Sequence, residues 1–392
     1  MNLRKQKLKS AMLMGLAAIL PAVAQGQSIF TVVHTPNENF NNGLYAVSAS
    51  SPSDIWAVGQ STIHYDGTKW TAFPAPMIKG DNTSDLEGVA DFSPTEAWAV
   101  GTVGIGEGEP GQVIERWDGT QWNVFPGPNF ASGDQPSLKA MAAISANDIW
   151  AVGSLLSDNT ERLNFLFEHW DGTSWTASAI PTGDAFLFGA SADATNDVWA
   201  VGFAGPENDK SRTLVMHYAG TKWTKVASPS VGSGASQLNG VVALAPNDVW
   251  AVGFSTPVAP PKEAATLTLI EHWDGTSWTV VPSPNVGPAN VNQSNRLEGI
   301  TAVSPTDIWA FGSFFQANGS GHQQTLLLHW DGTAWTIAPS PNPTKNGFLS
   351  DLLFAGVAVS PDDVWIVGAE DEAPHDGTLA IHSTTAASGA SN

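Results

Sequence analysis

Seven tryptophans, Trp56, Trp98, Trp150, Trp199, Trp250, Trp309 and Trp365, each open a tetrapeptide built on W-A-V-G. Their successive spacings are 42, 52, 49, 51, 59 and 56 residues. A period near fifty that holds several short apolar runs belongs to a repeat that cannot bury its own faces and must stack on copies of itself. Each repeat reads as four strands, a to d, with Gly, Pro, Asp and Asn between them and no helical periodicity. In the fifth repeat they fall at 238–244, 249–253, 267–273 and 278–282. The a-to-b connection reads S-P-x-D, as at Ser51 to Asp54. The c-to-d connection reads W-D-G-T-x-W, as at Trp273 to Trp278, and Asp-Gly between apolar runs marks a hairpin.

The chain ends set the blade count. Strand d follows a W-A-V-G only six times, opening at Trp70, Trp122, Trp175, Trp223, Trp278 and Trp335. The seventh repeat stops after a worn strand c at Leu379 to His382. Phe30 to Asn37, F-T-V-V-H-T-P-N, parallels Trp278 to Asn285, W-T-V-V-P-S-P-N. The expected fold is therefore all-β, a seven-bladed β-propeller of four-stranded antiparallel blades, in which the N-terminal strand supplies the missing strand d and closes the ring.

The expected organisation is a signal peptide over 1–24, one propeller domain over 25–382 and a disordered tail over 383–392. The first segment has a basic start (Arg4, Lys5, Lys7, Lys9), an apolar run from Ala11 to Leu20, and Ala22-Val23-Ala24 before the cut. That run is too short to span a bilayer, so the expectation is a secreted or periplasmic protein with no membrane span, and a monomer. The chain contains no cysteine, so stability must come from packing across the ring. Its net charge is −21; without the four basic residues of the leader, twelve bases face 37 acids, a net charge of −25. Nucleic acid is excluded as a partner on that ground.

The residues that most resemble chemistry belong to the repeat. All seventeen tryptophans occupy strand positions: seven in b, six opening d, and Trp117, Trp170, Trp273 and Trp330 ending c. Of nine histidines, His64, His169, His217, His272, His329 and His382 take one strand-c position, with Arg116 in the remaining repeat. Copies of one position stand around a ring and cannot converge on one ion. A hydrogen bond to the repeated acid before the b tryptophan is expected instead, and His322 and His375 remain as loop candidates. The acids Asp54, Glu96, Asp148, Asp197, Asp248, Asp307 and Asp363 repeat in the a-to-b turn, and Asp66, Asp118, Asp171, Asp274 and Asp331 in the hairpin. No loop has calcium-binding spacing, so neither metal nor cofactor is expected.

Function is expected where the repeat fails. One face of the disc carries the variable b-to-c and d-to-a loops, with Arg162, Arg212 and Arg296, and with Lys210, Lys262, Lys345, Gln316, Asn318, His322 and Gln323. One strand position also varies while its neighbours repeat: the residue after the recurring leucine at the start of strand a. It holds Tyr45, Glu87, Lys139, Phe188, Asn239, Glu298 and Phe354. Strand a should be innermost, which makes these seven a collar at the mouth of the central channel.

The D-V-W-A-V-G and H-W-D-G-T-x-W repeat resembles that of secreted bacterial β-propeller proteins, and is more distantly similar to kelch and tectonin-type repeats and to WD40-like propellers. Tectonin-type members are often lectins, so the resemblance implies surface recognition. Kelch blades carry a glycine pair after strand b that is missing here. The hairpin also resembles the sialidase Asp-box, with its Asp, Gly, Thr and Trp packed into a shorter spacing. The reading favoured by the sequence is a non-catalytic module binding an extracellular glycan or protein through the variable face. A glycan-active enzyme using paired carboxylates such as Glu87 and Glu298, or a cell-surface assembly scaffold, are the alternatives.

Overall fold

A computed structural model describes residues 28–37, 42–74, 76, 84–104, 110–158, 162–181, 185–205, 210–257, 265–287, 293–316, 322–343, 350–372 and 375–385. Residues 1–24, where the leader is expected, lie outside them, as do 386–392. The strand ending the chain runs through Thr385, beyond the His382 at which the sequence reading ends the domain.

The described strands form seven four-stranded antiparallel sheets, each with its strands in the order a-b-c-d. Blade 5 is typical, with strands Ser236–Ala245, Asp248–Ser255, Leu267–Trp273 and Trp278–Val280. Strands a and b extend past the ranges read from apolar residues alone, because the ladder continues through polar Ser236, Gln237 and Ser255. In blade 7, strands Asp351–Ser360, Asp363–Glu372 and His375–Thr385 are completed by Ser28–Val33. Thr31 opposes His382 there as Thr279 opposes His272 in blade 5, so the N-terminal segment is a strand d in register as well as in sequence.

The hairpin chemistry is local. Gly67, Gly119, Gly172, Gly220, Gly275 and Gly332 have φ between 82° and 92°, a conformation that side chains with a β-carbon disfavour. In five of these turns, all but that of Gly220, an Asp before the glycine accepts amide hydrogens across the turn: Asp274 Oδ1 takes those of Thr276 and Ser277 at 2.8 and 2.9 Å, and the Thr276 hydroxyl at 2.6 Å.

Each blade is held within itself by a three-layer clamp. The strand-c histidine puts Nε2 2.6 to 2.9 Å from the acid that opens strand b, in all six copies. Its ring lies over the strand-b tryptophan with centroids 4.0 to 4.5 Å apart. In blade 2, Arg116 does both jobs, donating to Glu96 at 2.7 Å and covering Trp98 at 5.1 Å. The six histidines are thus structural and dispersed around the ring.

Blades are joined by a second aromatic contact. The ring opening strand d meets the strand-b tryptophan of the preceding blade edge to face at every seam: Trp70 on Trp365, Trp122 on Trp56, Trp175 on Trp98, Trp223 on Trp150, Trp278 on Trp199, Trp335 on Trp250. The seventh seam is Phe30 on Trp309. The six strand-d indole N–H groups are buried with no conventional acceptor. Edge-on packing turns the positive rim of each ring toward a π face, a weak compensation repeated around the ring.

Candidate functional site

The ladder between strands a and b breaks twice in every blade, once beside the a-to-b turn and once near the start of strand a, and the second break falls on the variable position. In blade 5, Leu238 opposes Gly253 and Gly240 opposes Val252, so Asn239 is an extra residue with no partner across the ladder. The same break falls on Tyr45, Glu87, Lys139, Phe188, Glu298 and Phe354. The seven variable positions are thus the seven members of one recurrent β-bulge, a device that kinks a strand and re-aims a side chain.

The repeat itself makes the bulge possible. The last glycine of W-A-V-G faces it, and a β-carbon there would lie 1.8 to 2.2 Å from the carbonyl oxygen of the residue preceding the strand-a leucine in all seven blades. That distance is far inside contact, and the obstacle is backbone. The motif's most regular residue and the collar's least regular one are two sides of one structure.

All seven bulge residues line one central cavity of about 540 Å³. Asp85 and Gln237, two positions before the bulge residues Glu87 and Asn239, line it too and were not singled out from sequence. Their signal is their place one residue before the strand-a leucine. The wall between bulges is small-residue backbone, including Gly88, Gly189, Gly240, Gly299 and Gly356.

The collar side chains associate with neighbours around the ring. Lys139 donates to Glu87 at 2.5 Å across the seam of blades 2 and 3. Asn239 donates to Glu298 Oε2 at 2.8 Å and to the Leu297 carbonyl at 2.9 Å, joining blades 5 and 6, while Gln237 donates to Asn239 at 2.6 Å. Tyr45 and Phe354 meet edge to face, centroids 5.6 Å apart, across blades 1 and 7. Phe188 stacks on Phe186 and leans on Phe203. Asn239 is buried, so it braces a seam as well as lining the mouth.

Burial raises the Glu298 carboxyl above the ordinary carboxylate range, against the opposing influence of Arg296 and the Asn239 hydrogen bond. Arg296 itself stacks on Phe254 at 3.9 Å and reaches Glu298 at 4.0 Å. Arg212 is turned to backbone, donating to the Gly234 and Ser211 carbonyls. Arg162 opens strand Arg162–Trp170 opposite Ser157, and its side chain lies outside the described residues. Neither Arg212 nor Arg296 is among the residues that line the collar's cavity.

Lys262, Lys345 and Asn318 lie outside the described residues, as does the side chain of Gln316; Lys210 and Gln323 are exposed. His375 opens a strand rather than occupying a loop, paired with Glu372. Among the described residues, no three His, Asp or Glu side chains gather as metal ligands, and no helix is long and apolar enough to cross a membrane.

No protein-family model matches the chain, and no curated protein is similar to it at a significant level. Solved structures are similar in fold. YCF48 bound to a D1 peptide matches with a TM-score of 0.52 at 13% identity, covering 92% of this chain and all of that one. The WD40 β-propeller domain of Doa1 matches at 0.54 and 10% identity, covering 91% and 97%. An ulvan lyase of polysaccharide lyase family PL25 matches at 0.54 and 13% identity, covering 87% and 93%. At these identities the likeness concerns architecture: this chain is a seven-bladed β-propeller with WD40-like structural neighbours.

Proposed function

We propose that this protein is a binding module that takes an extracellular protein or glycan ligand in the channel mouth. One observation carries the reading: seven side chains that differ from blade to blade are delivered by seven identical bulges to a single cavity of about 540 Å³, within the size range of ligand sites. A framework of repeated strands that carries a varying residue at one convergent position separates what holds the fold from what meets a partner. Propellers of similar fold include one solved with a peptide and one named as a polysaccharide lyase, so the fold accommodates both ligand classes. Export by residues 1–24 belongs to the same proposal, and N-terminal sequencing of protein recovered outside the cytoplasm tests it.

The test is a polysaccharide array and an envelope-protein pull-down with residues 25–392, repeated with Tyr45→Ala and Phe354→Ala. Saturable binding that both substitutions weaken, at unchanged melting temperature, is the expected result. Binding that survives both locates recognition elsewhere.

A glycan-active reading rests on Glu298, whose carboxyl is held above the ordinary range by burial, as a general acid requires. Against it, Glu87 is committed to Lys139, and blades 7 and 1 stand between the two glutamates. Release of product from any bound polysaccharide, lost in Glu298→Gln, would restore it.

A further inference from the structure

The collar is not uniform around the ring. Over four consecutive blades, 6, 7, 1 and 2, it runs carboxylate, aromatic, aromatic, carboxylate: Glu298, Phe354, Tyr45, Glu87. Asp85 adds a third carboxylate to the same arc from the strand that carries Glu87. The remaining three blades contribute Lys139, Phe188 and Asn239. Lys139 is the cation of the lining and is already satisfied by Glu87. Arg296, outside the lining, is spread over Phe254 and only reaches Glu298 at 4.0 Å.

Resting on the binding reading above, we propose that the ligand is an extended peptide segment bearing basic side chains, whose ammonium or guanidinium group is received by the arc of blades 6, 7, 1 and 2. Aromatic faces and carboxylates reinforce each other toward a cation: the ring quadrupole attracts it at about 6 Å or less, and a carboxylate in a partly desolvated mouth forms a charge-assisted hydrogen bond. The net charge of −21 steers such a ligand toward the disc at long range and repels anionic ones. A neutral sugar would use the aromatic pair but bring no opposite charge to the arc's carboxylates. An acidic polysaccharide would face them directly.

The first probe is the pentalysine peptide, acetylated at its N-terminus and amidated at its C-terminus, measured by calorimetry on residues 25–392. Its Nε-acetylated counterpart and a glucosamine hexamer are measured beside it. The expected result is one-to-one binding of pentalysine, abolished by Nε-acetylation and weakened about tenfold or more by Glu298→Gln and by Tyr45→Ala. Asp331→Asn, in a hairpin of the opposite face, removes the same charge away from the mouth and should change affinity by less than about twofold.

Equal weakening by Asp331→Asn and Glu298→Gln would mean attraction by bulk charge and would overturn the proposal. Binding of the acetylated peptide with Tyr45 dependence would overturn the cationic class while leaving the mouth as the binding site. Binding of the glucosamine hexamer alone would replace the peptide with an amino sugar. Should none of the three bind while the array ligands do, and with collar dependence, the peptide inference falls and the binding module stands.

Discussion

Phe30, from the first described strand, meets Trp309 of blade 6 edge to face with ring centroids 5.0 Å apart, and both rings are buried. Six other seams make this contact with a tryptophan; the closing seam makes it with a phenylalanine contributed from the far end of the chain. Phe30→Ala removes the ring and leaves a cavity against Phe311, Leu327 and Ile366, members of the same core cluster. The expected loss is about 3 to 5 kcal/mol of stability, read by chemical denaturation. Protease sensitivity should appear first in blade 7, because its outer strand then loses its main anchor.

Gly253→Ala tests the coupling between motif and collar. The added methyl would meet the Gln237 carbonyl at 2.0 Å, and strand a must shift or the bulge must flatten. A loss of about 1 to 3 kcal/mol is expected, together with reduced binding at the neighbouring Asn239. An alanine tolerated without loss, in calorimetry, would show that the bulge does not depend on this glycine.

The six histidine clamps are remote from one another, so their contributions should add. His169→Ala and His329→Ala each remove a hydrogen bond to a repeated acid and a stacked ring, for a loss of about 1 to 2 kcal/mol apiece. The double variant should equal the sum within about 0.5 kcal/mol. A large coupling between them in denaturant melts would mean that they share a partner.

Stability should fall from mildly acidic to mildly alkaline pH. Glu115, Glu168 and Glu271 are fully buried at blade seams, and burial pushes each carboxyl up to about 8. Glu271 accepts from Ser228 at 2.7 Å, while both Glu115 oxygens lack a hydrogen-bond partner among the described residues. The folded-state values lie above those of the unfolded chain, so the native protein holds more protons between about pH 4.5 and 8. In that window stability declines as pH rises, by up to about 1.4 kcal/mol per unit for each group. Below about pH 4 the sign reverses, because hydrogen bonds in the hairpins lower Asp66, Asp171, Asp274 and Asp331 to about 2. The triple variant Glu115→Gln, Glu168→Gln, Glu271→Gln should flatten the slope between pH 5 and 8 in thermal melts. An unaltered slope would refute the assignment.

The architecture was legible in the sequence because a propeller repeats its covalent punctuation. Counting strand-d tryptophans against W-A-V-G motifs required the N-terminal strand to complete blade 7, and Phe30 lies where that count puts it. The pairing of each histidine with its acid followed from their shared position in every repeat. The collar was visible only as a column that refuses to repeat; why those residues turn into the channel was hidden, since a bulge is a property of pairing between strands. The glycine facing each bulge was on display, but nothing local distinguished crowding from a turn. Two of the arginines read as loop residues lie in strands, Arg212 opening a strand c and Arg296 within a strand a, and their side chains are drawn to the Gly234 carbonyl and the Phe254 ring. The partnership of Lys139 with Glu87 depends on which blades adjoin, which emerges once the ring is closed.

The bulge has one more consequence. Its residue has no partner across the ladder, and the residues on either side of it are held by ladder pairs in every repeat, so one backbone carries different side chains from blade to blade, even where one of them, as Asn239 does, also braces a seam. The mouth is in effect a word of seven letters, each written by a separate exon-like unit of about fifty residues. Duplication supplies new units and single substitutions respell them. A lineage of such chains can explore partners combinatorially while the aromatic seams and histidine clamps stay as they are.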